Sequence, residues 1–159
     1  MSLYFEKINR IFEECQRHIY RMDLAHAEIA HLMPLSLEIY EKLTDADIKT
    51  VDQFLFRFSK LQDAIGKRLF KTTLLALGED IEGEAFIDIL NRLEKLDLIT
   101  DIEGWFELRR MRNELAHEYE EDKKANAEAI TIIHQSAGRL KTYFSTIHVK
   151  MKKRFENES

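Results

Sequence analysis

The sequence predicts an all-α protein, an antiparallel bundle of four to five main helices, and three observations carry that expectation. Breakers are scarce: 159 residues hold five glycines and one proline. Many short strands cannot be joined with so few turn residues, whereas the abundant Leu, Glu, Lys and Ala favour helix. Apolar residues also recur at three-to-four spacing over long stretches, which puts them on one helical face. Finally, 45% hydrophobic and 33% charged residues can both build a core and coat it. The length suits one domain over 1–159.

Each element follows from its stripe and its punctuation. From Leu3 to about Met33 the stripe is Phe5, Ile8, Phe12, Cys15, Ile19, Met22, Ile29 and Met33. Pro34 ends it, because proline disfavours helix in the residue before it. Leu35 to Leu43 suits a short helix. Thr44-Asp45-Ala46-Asp47 reads as a capping box. It opens a second long helix with Val51, Phe54, Phe58, Leu61, Ile65, Leu69 and Leu75, broadened by Phe56, Phe70 and Leu74. Gly78 is its expected C-cap, and 79–83 its loop. A shorter amphipathic segment runs from about Glu84 to Leu98. Thr100-Asp101-Ile102-Glu103 reads as another capping box, and Asp122 as the cap of a last helix. That helix carries Ala127, Ile130, Ile133, Ala137, Leu140, Phe144, Ile147 and Met151 on one face. The tail 150–159, with Lys150, Lys152, Lys153 and Arg154, is expected to fray.

The single Cys15 excludes an internal disulfide and a cysteine-based zinc cluster within one chain. It points to a reduced, cytoplasmic setting. No segment is apolar and long enough to span a membrane, and the N-terminal residues lack a signal-peptide pattern. A net charge of −5 means that any polyanion must be met by a local basic patch. Lys67, Arg68 and Lys71 read as a solvated basic face. His18, His26, His31, His134 and His148 read as scattered surface residues, and the five-residue step from His26 to His31 suits no helical metal pair. The run Phe54, Phe56 and Phe58 reads most simply as core, with Phe56 as the one candidate exception that would mark an interface.

The densest cluster of reactive side chains is Arg109-Arg110-Met111-Arg112-Asn113-Glu114-Leu115-Ala116-His117-Glu118-Tyr119. On a helix advancing about 100° per residue, Leu108, Met111 and Leu115 point inward together. Arg112 and His117 then diverge by about 140°, with Arg109, Asn113 and Ala116 between their directions. A recess flanked by Arg112 and His117 over Ala116 would suit a phosphate. One helix makes an open site, so the expectation is a homodimer in which two copies of this helix close a cleft across a twofold axis.

Arg112-Asn113-x-x-x-His117-x-Tyr119 resembles the arginine–polar–x-x-x–histidine signature of the HEPN superfamily, and within it the HepT-like branch, where a tyrosine follows the histidine by two. The helical bundle, with the motif on the penultimate helix and one long helix after it, is similar to that branch. The resemblance implies a metal-independent ribonuclease, the toxin of a toxin–antitoxin pair. It implies a small nucleotidyltransferase as antitoxin partner, and Tyr119 as the residue that partner can adenylylate. It implies no cofactor. Some members of the superfamily are non-catalytic modules that bind nucleotidyltransferases, which is the alternative expectation.

The residue types fit RNA cleavage. RNA carries its own nucleophile, the 2′-hydroxyl. His117 can act as base or acid near neutral pH. Arg112 can stabilise charge on the non-bridging oxygens. Asn113 can orient the phosphate or the imidazole, and Arg109 can hold a neighbouring phosphate of the substrate.

Overall fold

Burial at positions three and four apart creates the first helix, α1 (Tyr4–Ile29). Ile8, Ile11, Phe12, Cys15, Met22, Ala25 and Ile29 are its buried apolar face. The molecule is a computed structural model that describes residues 3–118 and 122–158, with side chains described for 3–115 and 122–157. After α1 the chain tightens into a 3₁₀ turn, Ala30–Leu32, and leaves the helix before Pro34. Ser36 caps the short α2 (Leu37–Glu41), its hydroxyl accepting from Ile39 N–H at 3.1 Å.

The predicted box at Thr44 is complete. Thr44 Oγ1 accepts from Asp47 N–H, and Asp47 Oδ2 from Thr44 N–H, both at 3.1 Å. It opens α3 (Asp45–Ala64). The sequence predicts one regular helix from here to Gly78, but the structure inserts a π-helical turn, Ile65–Leu69, before α4 (Phe70–Ala76). The wide turn absorbs an extra residue, so Leu69, Phe70 and Leu74 are buried while Leu75 is only half-buried. Gly78, at φ +79°, closes the rod as expected. Glu79 N–H bonds to Leu74 O and Gly78 N–H to Leu75 O, the paired bonds of a Schellman end.

The next helix, α5 (Phe86–Lys95), is shorter than the predicted 84–98. Asp97 takes a left-handed φ of 58°, and Leu98 N–H turns back to Leu93 O at 2.9 Å. An aspartate tolerates that conformation, so the helix ends there although apolar residues continue. Helix α6 (Ile102–Glu118) follows. Its cap is Asp101, one residue beyond the predicted Thr100, with Oδ1 taking the Gly104 N–H. A side chain at 104 would lie 2.7 Å from that oxygen and 2.6 Å from the Tyr143 hydroxyl, which itself donates to Asp101 O. Asp122 caps the 36-residue α7 (Lys123–Glu158) as predicted, through Ala125 N–H at 3.0 Å.

Side-chain pairs fix how the helices lie. Glu14 meets Arg68, His18 meets Arg57, and Glu28 meets Thr50, so α1 and the α3–α4 rod run in opposite directions. Phe5 with Phe155, Phe12 with Phe144 and Asp23 with Lys141 place α7 against α1 in the same opposed sense. Glu107 with Arg139 and Met111 with Ser136 do so for α6 and α7. One continuous hydrophobic cluster joins α1, α3, α4, α5, α6 and α7. The described residues contain no strand, and none of their helices is long and apolar enough to cross a membrane.

Two further expectations are corrected. The basic tail does not fray: α7 stays helical to Glu158, and Met151 and Phe155 are buried, Phe155 edge-on to Phe5 at 4.7 Å. Apolar residues on the inner face of the tail outweigh its repelling charges. The histidines are not all superficial either. His18 is buried between Glu14 and Arg57. His26 and His134 stack at 3.6 Å, and the Nε2 of each lies within 3.0 Å of the other's backbone oxygen. Nε2 must donate to reach a carbonyl, which sets the tautomer of both rings. Phe54 and Phe58 are core as expected, whereas Phe56 is half-exposed and is the exception to the run.

Candidate functional site

Helix α6 is anchored by Trp105 and Leu108, both fully buried, and by the half-buried Met111 and Leu115. That inward face turns Arg109, Arg112 and Asn113 toward the C-terminal half of the α3–α4 rod. A cleft of about 450 Å³ lies between the two elements. Lys67 and Lys71 contribute from the rod, and Phe86 from the start of α5.

The π turn shapes the cleft. Gly66 sits in it, directly against the Trp105 ring; a Cβ there would be 2.7 Å from Trp105 Cζ2. Only a glycine lets the backbone come this close. Trp105 is held in turn by Phe70 at 4.8 Å and Tyr143 at 5.3 Å, both edge-on. π turns are uncommon and are frequent at functional sites.

Arg112 is not free in the protomer. Its guanidinium pairs with Asp63, at 2.6 Å for Nη1–Oδ1 and 3.4 Å for Nη2–Oδ2, and Nη1 lies 3.5 Å from Gln62 Oε1. Lys67 approaches the same carboxylate at 3.7 Å. The pair is about one-third exposed on each side, so solvent screening limits its worth to about 1 kcal/mol. Arg109 stacks over Phe86, its guanidinium carbon 5.8 Å from the ring centroid. The described lining therefore includes four cations, Lys67, Lys71, Arg109 and Arg112, around one carboxylate, Asp63. That balance attracts an anion in a chain whose overall charge is negative.

No protein-family model, curated protein or solved structure matches this chain.

Of the residues singled out from sequence, Arg109, Arg112 and Asn113 come together in the cleft. His117 lies on α6, five residues beyond Arg112, and its side chain is outside the described ones, as is that of Ala116. Tyr119 lies outside the described residues. The motif by itself predicts a phosphate recess on α6 alone, between Arg112 and His117. The recess in the described structure extends from Arg112 the other way, toward Arg109 and the π turn.

The basic cluster on the second helix divides. Lys67 and Lys71 face the cleft, whereas Arg68 turns to Glu14 on α1 with contacts of 2.5 and 2.7 Å. Arg68 holds the Glu14 carboxyl below its ordinary range, with His18 adding to the effect. Sequence reasoning missed Gln62, Asp63, Gly66, Trp105 and Phe86. One signal was available: Gln62, Asp63, Gly66 and Lys67 recur at helical spacing, marking a polar face with a gap in it.

Proposed function

We propose that this chain is a metal-independent endoribonuclease of the HEPN kind, closest to the HepT-like toxins, working as a homodimer. The cleft carries the reading: a cationic recess built around the motif arginine, with Asn113 and Arg109 beside it. Phosphate contacts dominate affinity for RNA, and the cleft concentrates them where the chain as a whole repels polyanions.

In this reading Arg112 stabilises the charge that develops on the non-bridging oxygens. His117 removes the proton from the 2′-hydroxyl, whose oxygen bonds to phosphorus as the 5′-oxygen departs. His117 of the second copy supplies a proton to that leaving oxygen. The products end in a 2′,3′-cyclic phosphate and a 5′-hydroxyl. Asn113 orients the phosphate, and Arg109 holds the adjoining one. Asp63, end-on to the guanidinium, fixes the direction in which Arg112 presents its remaining N–H groups. A small nucleotidyltransferase is the antitoxin partner, acting on Tyr119.

A second reading has one observation in its favour. Arg112 is already satisfied by Asp63 within the chain, as it would be in a non-catalytic module that binds a minimal nucleotidyltransferase. Incubating labelled RNA with wild-type protein and with His117→Ala separates the two. The ribonuclease reading expects cyclic-phosphate ends from the wild type and none from the variant, with equal helicity in both. Equal cleavage by both proteins removes His117 from the mechanism. No cleavage by either, with binding to a nucleotidyltransferase retained, leaves the module.

A further inference from the structure

The cations of the cleft lie at two levels. Asp63 pairs with Arg112, whereas Gly66 and Phe70, further along the rod, meet Trp105, earlier on α6. The rod and α6 therefore run in opposite directions. Arg109, almost one turn before Arg112, comes level with Lys67 and Lys71, which follow Asp63 on the rod, and all of them line the cleft.

The two levels differ in charge. At the first, the Asp63 carboxylate lies 2.6 Å from Arg112 and 3.7 Å from Lys67, so part of the positive charge is answered within the chain. At the second, Lys71 and Arg109 have no carboxylate partner among the described residues. Arg109 rests its face on Phe86. Stacking of this kind fixes the plane of a guanidinium and leaves its N–H edge for an oxygen. Lys71 and Arg109 are both exposed, so an anion reaches them from solvent. A lone phosphate can use one level only. The levels stand about one helical turn apart, roughly 5.4 Å, a step comparable with that between neighbouring phosphates of a nucleic-acid strand.

We propose that Lys71 and Arg109, with Lys67 beside them, form a second phosphate subsite one nucleotide away from the linkage held at Arg112. The cleft then takes an RNA strand by two successive phosphodiesters. The proposal rests on the ribonuclease reading and adds the path of the substrate, from the motif on α6 across to the rod. It turns Lys67 and Lys71 from a solvated face into positioning residues.

Binding and cleavage test the subsite separately. The binding probe is a dye-labelled hexaribonucleotide carrying 2′-O-methyl groups, which block the nucleophile and keep the strand intact on the wild-type protein. Its affinity is followed by anisotropy across a range of salt concentrations. Each phosphate contact on a single strand contributes about 0.7 to the slope of log K against log salt. Lys71→Gln should therefore lower the slope by about 0.7 and weaken binding roughly fivefold near about 0.1 M salt. Lys153→Gln removes the same charge from an exposed position outside the cleft and should leave the slope as it was. An unchanged slope in Lys71→Gln, an equal fall in both variants, or no binding by the wild type would overturn the proposal.

Cleavage uses unmodified RNA with one phosphodiester or two. Lys71→Gln should slow cleavage of the trinucleotide and leave that of the dinucleotide unchanged, because only the longer strand reaches the second subsite. Equal slowing of both would overturn the proposal, since a lysine acting only through the fold or the general field would give that result. Cleavage by the wild type with equal salt slopes in wild type and Lys71→Gln removes the subsite and keeps the nuclease. A slope that falls in Lys71→Gln alone, without cleavage by the wild type, keeps the subsite and removes the nuclease.

Discussion

Gly66→Ala places a methyl group 2.7 Å from Trp105 Cζ2. Inserting a group of this size into a packed interior costs about 1–3 kcal/mol. Trp105 is 1% exposed and wedged between Phe70 and Tyr143, so its ring cannot swing away and the cost falls near the top, about 3 kcal/mol. Replacing a helical glycine by alanine returns about 1 kcal/mol. The net is a destabilisation of about 2 kcal/mol, or a fall in Tm of about 4–8 °C for a domain of this size. Gly138 on α7 is the control, because a Cβ there meets nothing within 4 Å. Gly138→Ala keeps the helical gain of about 1 kcal/mol and should raise Tm. Thermal unfolding followed by circular dichroism measures both. A Gly66→Ala midpoint equal to or above that of the wild type would refute the argument that the π turn is held open by a glycine–tryptophan contact.

Acid should destabilise the fold through its histidines. Burial lowers the His134 pKa from its ordinary 6.5 and outweighs the hydrogen bond to the His26 backbone, which raises it, and burial lowers that of His148 likewise. The unfolded chain then binds more protons than the native one as pH falls through about 6.5, so their stabilising contribution, complete above that pH, is lost below it. Tm measured from pH 7.5 to 5.5 should fall, and fall less in His134→Gln; an identical fall in the variant would count against His134. Cys15 is fully buried, and burial pushes its thiol up to about 12. A thiol reagent should therefore react with native protein far more slowly than with denatured protein, and comparable rates would contradict that burial. Asp63→Asn removes the charge that holds Arg112 and should cost no more than about 1 kcal/mol. A denaturant midpoint showing a much larger loss would mean that the pair is far less screened than its exposure indicates.

Most of the fold was legible because helix ends and apolar periodicity are local. The boxes at Thr44 and Asp122, the glycine end at Gly78 and the inner face of α7 could all be read from neighbouring residues. The errors have local causes as well. Thr100 and Asp101 are both able caps, and the contact between Tyr143 and Asp101 O accompanies the choice of the second. Asp97 ended α5 through a backbone conformation that an apolar pattern does not report. The histidine pair and the ion pair of Arg112 needed the third dimension: His26 and His134 are 108 residues apart, and Asp63 and Arg112 are 49 apart. The candidate site was half legible for the same reason. Its α6 side is a compact motif, whereas its opposite wall consists of ordinary residues that matter only because a wide turn brings them there.

The wide turn at Ile65–Leu69 has an evolutionary reading. A helix that carries one surplus residue in a single loosened coil can shed it and close up as a regular helix, with the flanks still facing the same neighbours. A one-codon deletion in this stretch would thus spare the scaffold and erase the cavity beside it. The cavity and the architecture would be lost separately, through a change small enough to arise in one step.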